Sequence, residues 1–345
     1  MRRRLLITSI LTVGMLALAG PAFACGGLLS PNGSVNLLKT TTLAAYHQGI
    51  EHYITSFRFV GGGGAKFGSI VPLPGVPTNV ERGGDWTLQR LIREVRPPVF
   101  ERAVALSAAG ASYDSAKVLL EVEIDALDIT VLEGGGAEVA RWAEKNGFVL
   151  SPDAPEVLDF YADRSPIFLA ARFDSKRAQA QGLSEGDGTP IHISIPTPQP
   201  WVPLRILGLG KEGTEVVQAD VFLLTDDAPS MLPAPAGFKA PDTRPGATGL
   251  VLERSEQAGE LLMNDLREDK GMDWMPENMW LSYMTLTAPA DSLTYDLALD
   301  ASGAGQPSYV AAGLKSALRD LGNAAATTPW GVVIGVVLAL GAALI

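Results

Sequence analysis

Two tryptophans and five carboxylates crowd into the stretch 265–280: Asp265, Glu268, Asp269, Asp273, Trp274, Glu277 and Trp280. Carboxylates beside tryptophans are the residue types that grip a glycan, or that serve as acid and base in glycoside hydrolysis, where the separation of the carboxyls decides the outcome. Asp273, Trp274, Glu277 and Trp280 are therefore the candidate ligand-binding residues. The run lacks the Asp-x-Asp-x-Asp-Gly order of a calcium loop. Its plainer reading is a charged helix end followed by a strand that carries two core tryptophans.

Histidine is scarce, with His47, His52 and His192 making up the whole supply. If Gln48-Gly49 is a two-residue turn, residues 47 and 50 pair, as do 45 and 52. His47 and His52 then lie diagonally on one face, about 7 to 8 Å apart at Cα. Two imidazoles there hold a metal only with a third ligand, for which Glu51 would need a change of register. The simpler expectation is a solvated sheet face, with His192 exposed as well and no metal or cofactor bound. Gly61 to Ser69 has the glycines, lysine and serine of a phosphate loop, but Lys66 is followed by Phe67 rather than Ser or Thr, and no helix signal follows. No Gly-x-Ser-x-Gly elbow anchors a serine hydrolase.

Cys25 is the single cysteine, so neither a disulfide framework nor a thiolate metal cluster is available within the chain. It follows Met1 to Ala24, which has Arg2, Arg3 and Arg4, an apolar run from Leu5 to Ala19, and Ala22-Phe23-Ala24. That is the pattern of a secretory signal peptide. The cut falls directly before Cys25, where a lipoprotein would carry its acyl chains, so lipidation of Cys25 competes with ordinary cleavage. At the other end Trp330 to Ile345 is uninterruptedly apolar. A helix there spans about 24 Å against a hydrocarbon core of about 30 Å. It has no polar face with which to sit on a globular surface, so a C-terminal membrane anchor is expected, with the body outside the membrane.

The elements that must position these residues read as mixed strands and short helices. Of 345 residues, 47% are apolar and 19% charged, enough for one large core or two ordinary ones. The net charge of -11 becomes -14 once the leader's arginines are removed (24 basic against 38 acidic), which repels nucleic acid and anionic lipid alike. Leu37 to His47 and Ile50 to Val60 form a hairpin of a half-buried sheet, continued by Phe67 to Leu73 up to the prolines. Asp85 caps a helix from Trp86 to Val95. Lys117 to Glu123 and Ala126 to Glu133 are strands. Ala137 to Lys145 is a helix with Trp142 inward, and Asp153 with Glu156 forms a capping box for another. Pro166 to Asp174, Ile191 to Ile195, Leu204 to Leu209 and Glu215 to Thr225 continue the strand series. Ser255 opens a helix ending at Lys270-Gly271, and Met279 to Thr287 and Leu293 to Leu299 add two strands.

Several stretches in chain order resemble one family. They are Ala24-Cys25-Gly26-Gly27, the run Phe67-Gly68-Ser69-Ile70-Val71-Pro72-Leu73-Pro74-Gly75-Val76-Pro77, Asp128 to Leu132, Trp142 to Phe148, and Pro196 to Ile206. Together they are similar to the bacterial DUF2330 family, over roughly Cys25 to Leu224 and more loosely to Leu299. The resemblance implies an exported envelope protein of unknown function and brings no catalytic residues. Many members resemble Cys-Gly-Gly-x-x-Cys at the mature start; here Ser30 takes the second position, which removes the partner of a local disulfide.

The expected fold class is α+β, a mostly antiparallel β-sheet ectodomain with a few short helices and a C-terminal transmembrane helix. Its divisions are a signal peptide (1–24), a DUF2330-like α+β domain (25–225), a Pro/Ala-rich connector (226–247), a helix with two strands packing on the main domain (248–300), a stalk (301–328) and the anchor (329–345). The functional expectation is a membrane-anchored cell-envelope protein that acts as an interaction or scaffold module, touching the membrane and another envelope protein but no nucleic acid. The alternative is an extracytoplasmic glycan-binding or hydrolytic enzyme using residues 265–280.

Overall fold

The computed structural model describes residues 27–29, 39–56, 67–96, 118–181, 189–237 and 248–314. The leader, Cys25 and the stretch 329–345 lie outside the described residues. Among those described, no helix is long and apolar enough to cross a membrane.

The fold is α+β, with mostly antiparallel sheets and few helices. The strands are β1 (Gly27–Leu29), β2 (Lys39–His47), β3 (Ile50–Ser56), β4 (Phe67–Leu73), β5 (Asn79–Arg82), β6 (Val118–Ile124), β7 (Leu127–Glu133) and β8 (Ile167–Phe173). They continue as β9 (Pro190–Pro196), β10 (Trp201–Val202), β11 (Val216–Thr225), β12 (Ser230–Leu232), β13 (Leu250–Gln257), β14 (Trp280–Pro289) and β15 (Leu297–Asp300). The helices are α1 (Thr87–Val95), α2 (Gly136–Lys145), α3 (Ala154–Ala162), α4 (Ser175–Ala180) and α5 (Glu260–Glu268).

Seven strands form a wide sheet in the order β13-β14-β11-β2-β3-β9-β5, five form a second sheet, β1-β4-β8-β7-β6, and three a small one, β10-β15-β12. Among the described residues, every pairing between two of these strands is antiparallel except that of β11 with β2. The β2–β3 hairpin has the expected register, His47 opposite Ile50 and Ala45 opposite His52. Gln48 and Gly49 both take left-handed backbone angles (φ 48° and 81°), the pair a tight two-residue hairpin turn requires.

Alternation along each strand sends side chains to two sides, and here both sides are apolar. Ala44, Tyr53, Ile193, Val221 and Met284 of the wide sheet join Val71, Val131 and Leu169 of the second sheet, with Trp142 of α2 and Leu158 of α3, in one cluster. On the opposite side Leu43, Ile54, Phe222 and Leu281 pack against Leu88 and Leu91 of α1 and Leu262, Met263 and Leu266 of α5. The expected half-buried sheet is thus buried on both faces. The physical reason is non-local: two amphipathic helices from distant parts of the chain cover the side that the hairpin alone leaves open.

Several local expectations change for the same kind of reason. Residues 205–208 form a short 3-10 helix rather than a strand, because the buried Asp296 carboxylate accepts the backbone N–H groups of Leu204 (2.7 Å) and Arg205 (2.9 Å) and fixes a helical start. Ser255 lies in β13 instead of opening a helix, opposite Ser282 of β14, and its hydroxyl accepts the indole N–H of Trp280. α5 begins only after Gly259. Asp153 makes no cap bond to α3; its carboxylate accepts the Gly210 N–H at 3.0 Å, and Glu156 pairs with Arg205. Within 226–247 the structure forms β12, which pairs with β15. Of the stretch 301–328, residues 301–314 are described, and Ala311 and Ala312 are buried against the body.

Candidate functional site

Three neighbouring strands bring titratable side chains to one spot on the helix-covered side of the wide sheet. In β3 His52 stands opposite Ser194 of β9, and Ile54 stands opposite His192, which in turn faces Glu81 of β5. His52 Nδ1 and His192 Nε2 are 2.9 Å apart. Glu81 Oε1 lies 3.2 Å from His192 Nδ1, and Ser194 Oγ lies 3.4 Å from His192 Nε2. An ionised Glu81 accepts the Nδ1–H of His192, so Nε2 of that ring accepts the Nδ1–H of His52. The carboxylate therefore sets the tautomer of both rings.

The pair is buried, His52 to 7% exposure and His192 to 1%. The indole of Trp274 lies flat on His52, with ring centroids 3.5 Å apart and planes inclined by 3°. Burial, followed by the charge of His192 and then His47, holds His52 down to about 3, far below the ordinary 6.5. Burial also lowers His192, against the opposing pull of Glu81. Both rings are neutral at pH 7. The expected exposure of His192 is thus corrected: its strand is interior, with β3 on one side and β5 on the other, and Trp274 covers the imidazoles. His47 remains apart and pairs with Asp226 at 2.7 Å.

The stretch 265–280 divides its polar groups among different partners. Asp265 pairs with Arg90 of α1 at 2.6 Å. Asp269, only 4% exposed, accepts the backbone N–H groups of Asp85 (2.9 Å), Trp86 (3.0 Å) and Lys270 (2.9 Å) and the hydroxyl of Thr87 (2.6 Å). From the end of α5, beside α1 on the same side of the sheet, it holds the residues that lead into α1, where the sequence placed Asp85 as the cap. Asp273 is exposed. Trp274 turns inward onto His52, and its buried indole nitrogen has no hydrogen-bond partner among the described residues. Glu277 is exposed and stands 3.6 Å from Arg267, while Trp280 begins β14 and donates to Ser255. The structure thus brings Trp274 to the histidines and Trp280 to β13, and leaves Asp273 and Glu277 at the surface.

Two further polar centres are buried: Glu51, which the sequence considered only as a third metal ligand after a change of register, and Asp296, which it did not single out. Glu51 is fully buried on the other side of β3; one carboxyl oxygen accepts the Trp201 N–H at 3.3 Å, and the other has no partner among the described residues. Burial pushes it up to about 8, partly offset by the Trp201 hydrogen bond, so it is protonated at neutral pH. In the register it stands opposite Tyr46 and Ile195. Asp296, with no exposure, accepts from Tyr161 Oη (2.9 Å) and Arg164 (2.5 Å) besides Leu204 and Arg205. Arg164 also donates to the Ala311 carbonyl and lies over the rings of Phe160, Tyr161 and Trp201. This centre ties α3, the 3-10 turn and residues 296–312 together.

Among the described residues no group of three or more His, Cys, Asp or Glu converges as a metal cage. Cys25 lies outside the described residues.

The family described as "Uncharacterized protein conserved in bacteria (DUF2330)" matches residues 19–226. No curated protein matches the chain. Among solved structures, a crystal structure of baculovirus P35 aligns over 78% of this chain and 97% of its own, with 8% identity and a TM-score of 0.39. A mutated baculovirus P35 after caspase cleavage aligns over 76% of this chain and 98% of its own, at 9% identity and a TM-score of 0.36.

Proposed function

The chain belongs to the DUF2330 family of uncharacterized bacterial proteins, and from that premise we propose that it is an exported, membrane-anchored cell-envelope protein whose body is an interaction or scaffold module. The observation that carries this reading is the fate of the residues 265–280. Asp265, Asp269, Trp274 and Trp280 are all engaged with other elements of the same chain, as clamps that hold α1, β3 and β13 in place. A loop used in this way stiffens the body and presents its outer residues on a rigid scaffold. Export and anchoring rest on the sequence, through the leader 1–24 and the apolar stretch 329–345.

The test is protease accessibility in bacteria that express the full chain. In cells stripped of their outer layers, added protease should degrade the body while a cytoplasmic marker survives, and the protein should remain with the membrane through an alkaline wash. Deleting residues 329–345 should release it. A body that stays protected, or one that never sediments with the membrane, contradicts the reading.

A further inference from the structure

Residues 308–314 form a turn laid on α3. Within it the N–H groups of Ala312, Gly313 and Leu314 donate to the carbonyls of Ser308 (2.9 Å), Val310 (3.0 Å) and Tyr309 (2.9 Å). Arg164, just past the end of α3, donates to the Ala311 carbonyl, and the N–H of Asp296 donates to the Ala312 carbonyl at 3.0 Å. Gly313, at φ 72°, lies so close to Phe160 of α3 that a Cβ there would overlap the ring. The turn buries Ala311 and Ala312 and leaves Tyr309 and Val310 49% and 39% exposed. The chain is thus fixed to one point of the body as far as Leu314.

Only 14 residues, 315–328, separate that point from the apolar stretch 329–345. Fully extended, 14 residues reach about 50 Å. A compact body of this length has a radius of about 22 Å, so the path half way round it is about 70 Å. With 329–345 in the membrane, the tether is too short to turn the opposite side of the body to the bilayer. Ala311 and Ala312 belong to the cluster on one side of the wide sheet, and α5 covers the other side. The α5 side is therefore the one held away.

Composition agrees with the tether. Residues 301–314 include no charged side chain, in a chain that is 19% charged. Tyrosine, with an apolar ring and a polar tip, is a side chain that membrane–water interfaces favour. On α3 the exposed Asp159 and Asp163 flank Phe160, so this surface does not attract anionic headgroups and suits neutral ones.

Resting on the reading of 329–345 as an anchor, we propose that the turn 308–314 is the face on which the body meets the bilayer, with Tyr309 and Val310 entering the interface of neutral phospholipid. The α5 side then points away from the membrane and is the one open to an envelope partner.

The experiment reconstitutes the full chain in phosphatidylcholine vesicles, with Cys25→Ser present throughout and one nitroxide label attached through either Val310→Cys or Leu261→Cys. Both positions are exposed, so neither label disturbs the core. Relaxation by oxygen, which concentrates in lipid, is compared with relaxation by a water-soluble nickel chelate present on both sides of the bilayer. An oxygen-to-nickel ratio several-fold higher at position 310 than at position 261 is the expected result. Equal ratios in protein that stays with the vesicles through an alkaline wash overturn the resting face while leaving the anchor intact. Protein that the wash removes overturns the anchor and the resting face together. A label at 310 shielded from both reagents means that a protein covers the turn, and a high ratio that needs added phosphatidylglycerol means that charge drives the contact; either result overturns the proposal.

Discussion

Replacing Glu51 by glutamine should remove most of the alkaline sensitivity of this fold. A glutamate in the unfolded chain ionises near its ordinary value of 4.5, whereas burial raises Glu51 to about 8 in the folded protein. Between those values the folded state holds a proton that the unfolded state has released, so stability falls as pH rises. The contribution is complete below 4.5 and is lost as pH climbs through about 8. At about 1.4 kcal/mol per pH unit the whole interval amounts to about 5 kcal/mol, of which about 3 kcal/mol is already gone at pH 7. Glutamine keeps an oxygen for the Trp201 N–H and cannot ionise, so the variant should be less sensitive across this range and more stable above pH 8. Denaturant unfolding of both proteins at intervals from pH 5 to pH 9.5 measures the two slopes. Parallel curves for the wild type and Glu51→Gln would refute the reasoning, since they would mean that the carboxyl ionises freely in the folded state.

Three other outcomes follow from the same structure. His52 is held below its ordinary value by burial, so the wild type loses stability as pH falls from 6.5 toward 3, and His52→Gln should flatten that acid limb in the same titration. Asp296→Asn leaves Arg164, 6% exposed, without its counter-charge; about 3–5 kcal/mol of stability should be lost in urea unfolding. Asp269→Ala leaves the backbone N–H groups of Asp85 and Trp86, just ahead of α1, unpaired, a loss of about 1–3 kcal/mol. Slowed exchange of the Asp85 and Trp86 amides in the wild type, abolished in the variant, checks it directly.

What sequence could supply was local. Gln48-Gly49 announces a hairpin, and His47 opposite Ile50 follows from counting. Alternating apolar residues marked β8 and β9, and Trp142 was correctly turned inward on α2. The helix-covered side of the wide sheet was not legible, because α1 and α5 come from residues 87–95 and 260–268 and neither carries a sign of where it docks. Hence His52 and His192 looked solvated. A cap on α1 was assigned to Asp85, the nearest carboxylate in sequence, while in the structure α1 has no side-chain cap and the residues ahead of it are held by Asp269, 184 positions from Asp85. Leu204 to Leu209 has the composition of a strand, and only the approach of Asp296 turns it into a helical turn. The acidic, tryptophan-bearing stretch stood out for its residue types, but which of its members face inward is a property of the packed loop.

The most direct test of the account is gentle detergent extraction of the native protein from its bacterial host, followed by mass analysis of what stays bound. It is run in parallel with a variant carrying Asp273→Asn and Glu277→Gln. The account predicts a stoichiometric envelope-protein partner that both forms retain, because the proposed scaffold role does not use those two exposed carboxylates. A monomer carrying a glycan that the double variant no longer holds would contradict it and make the stretch 265–280 a binding site after all.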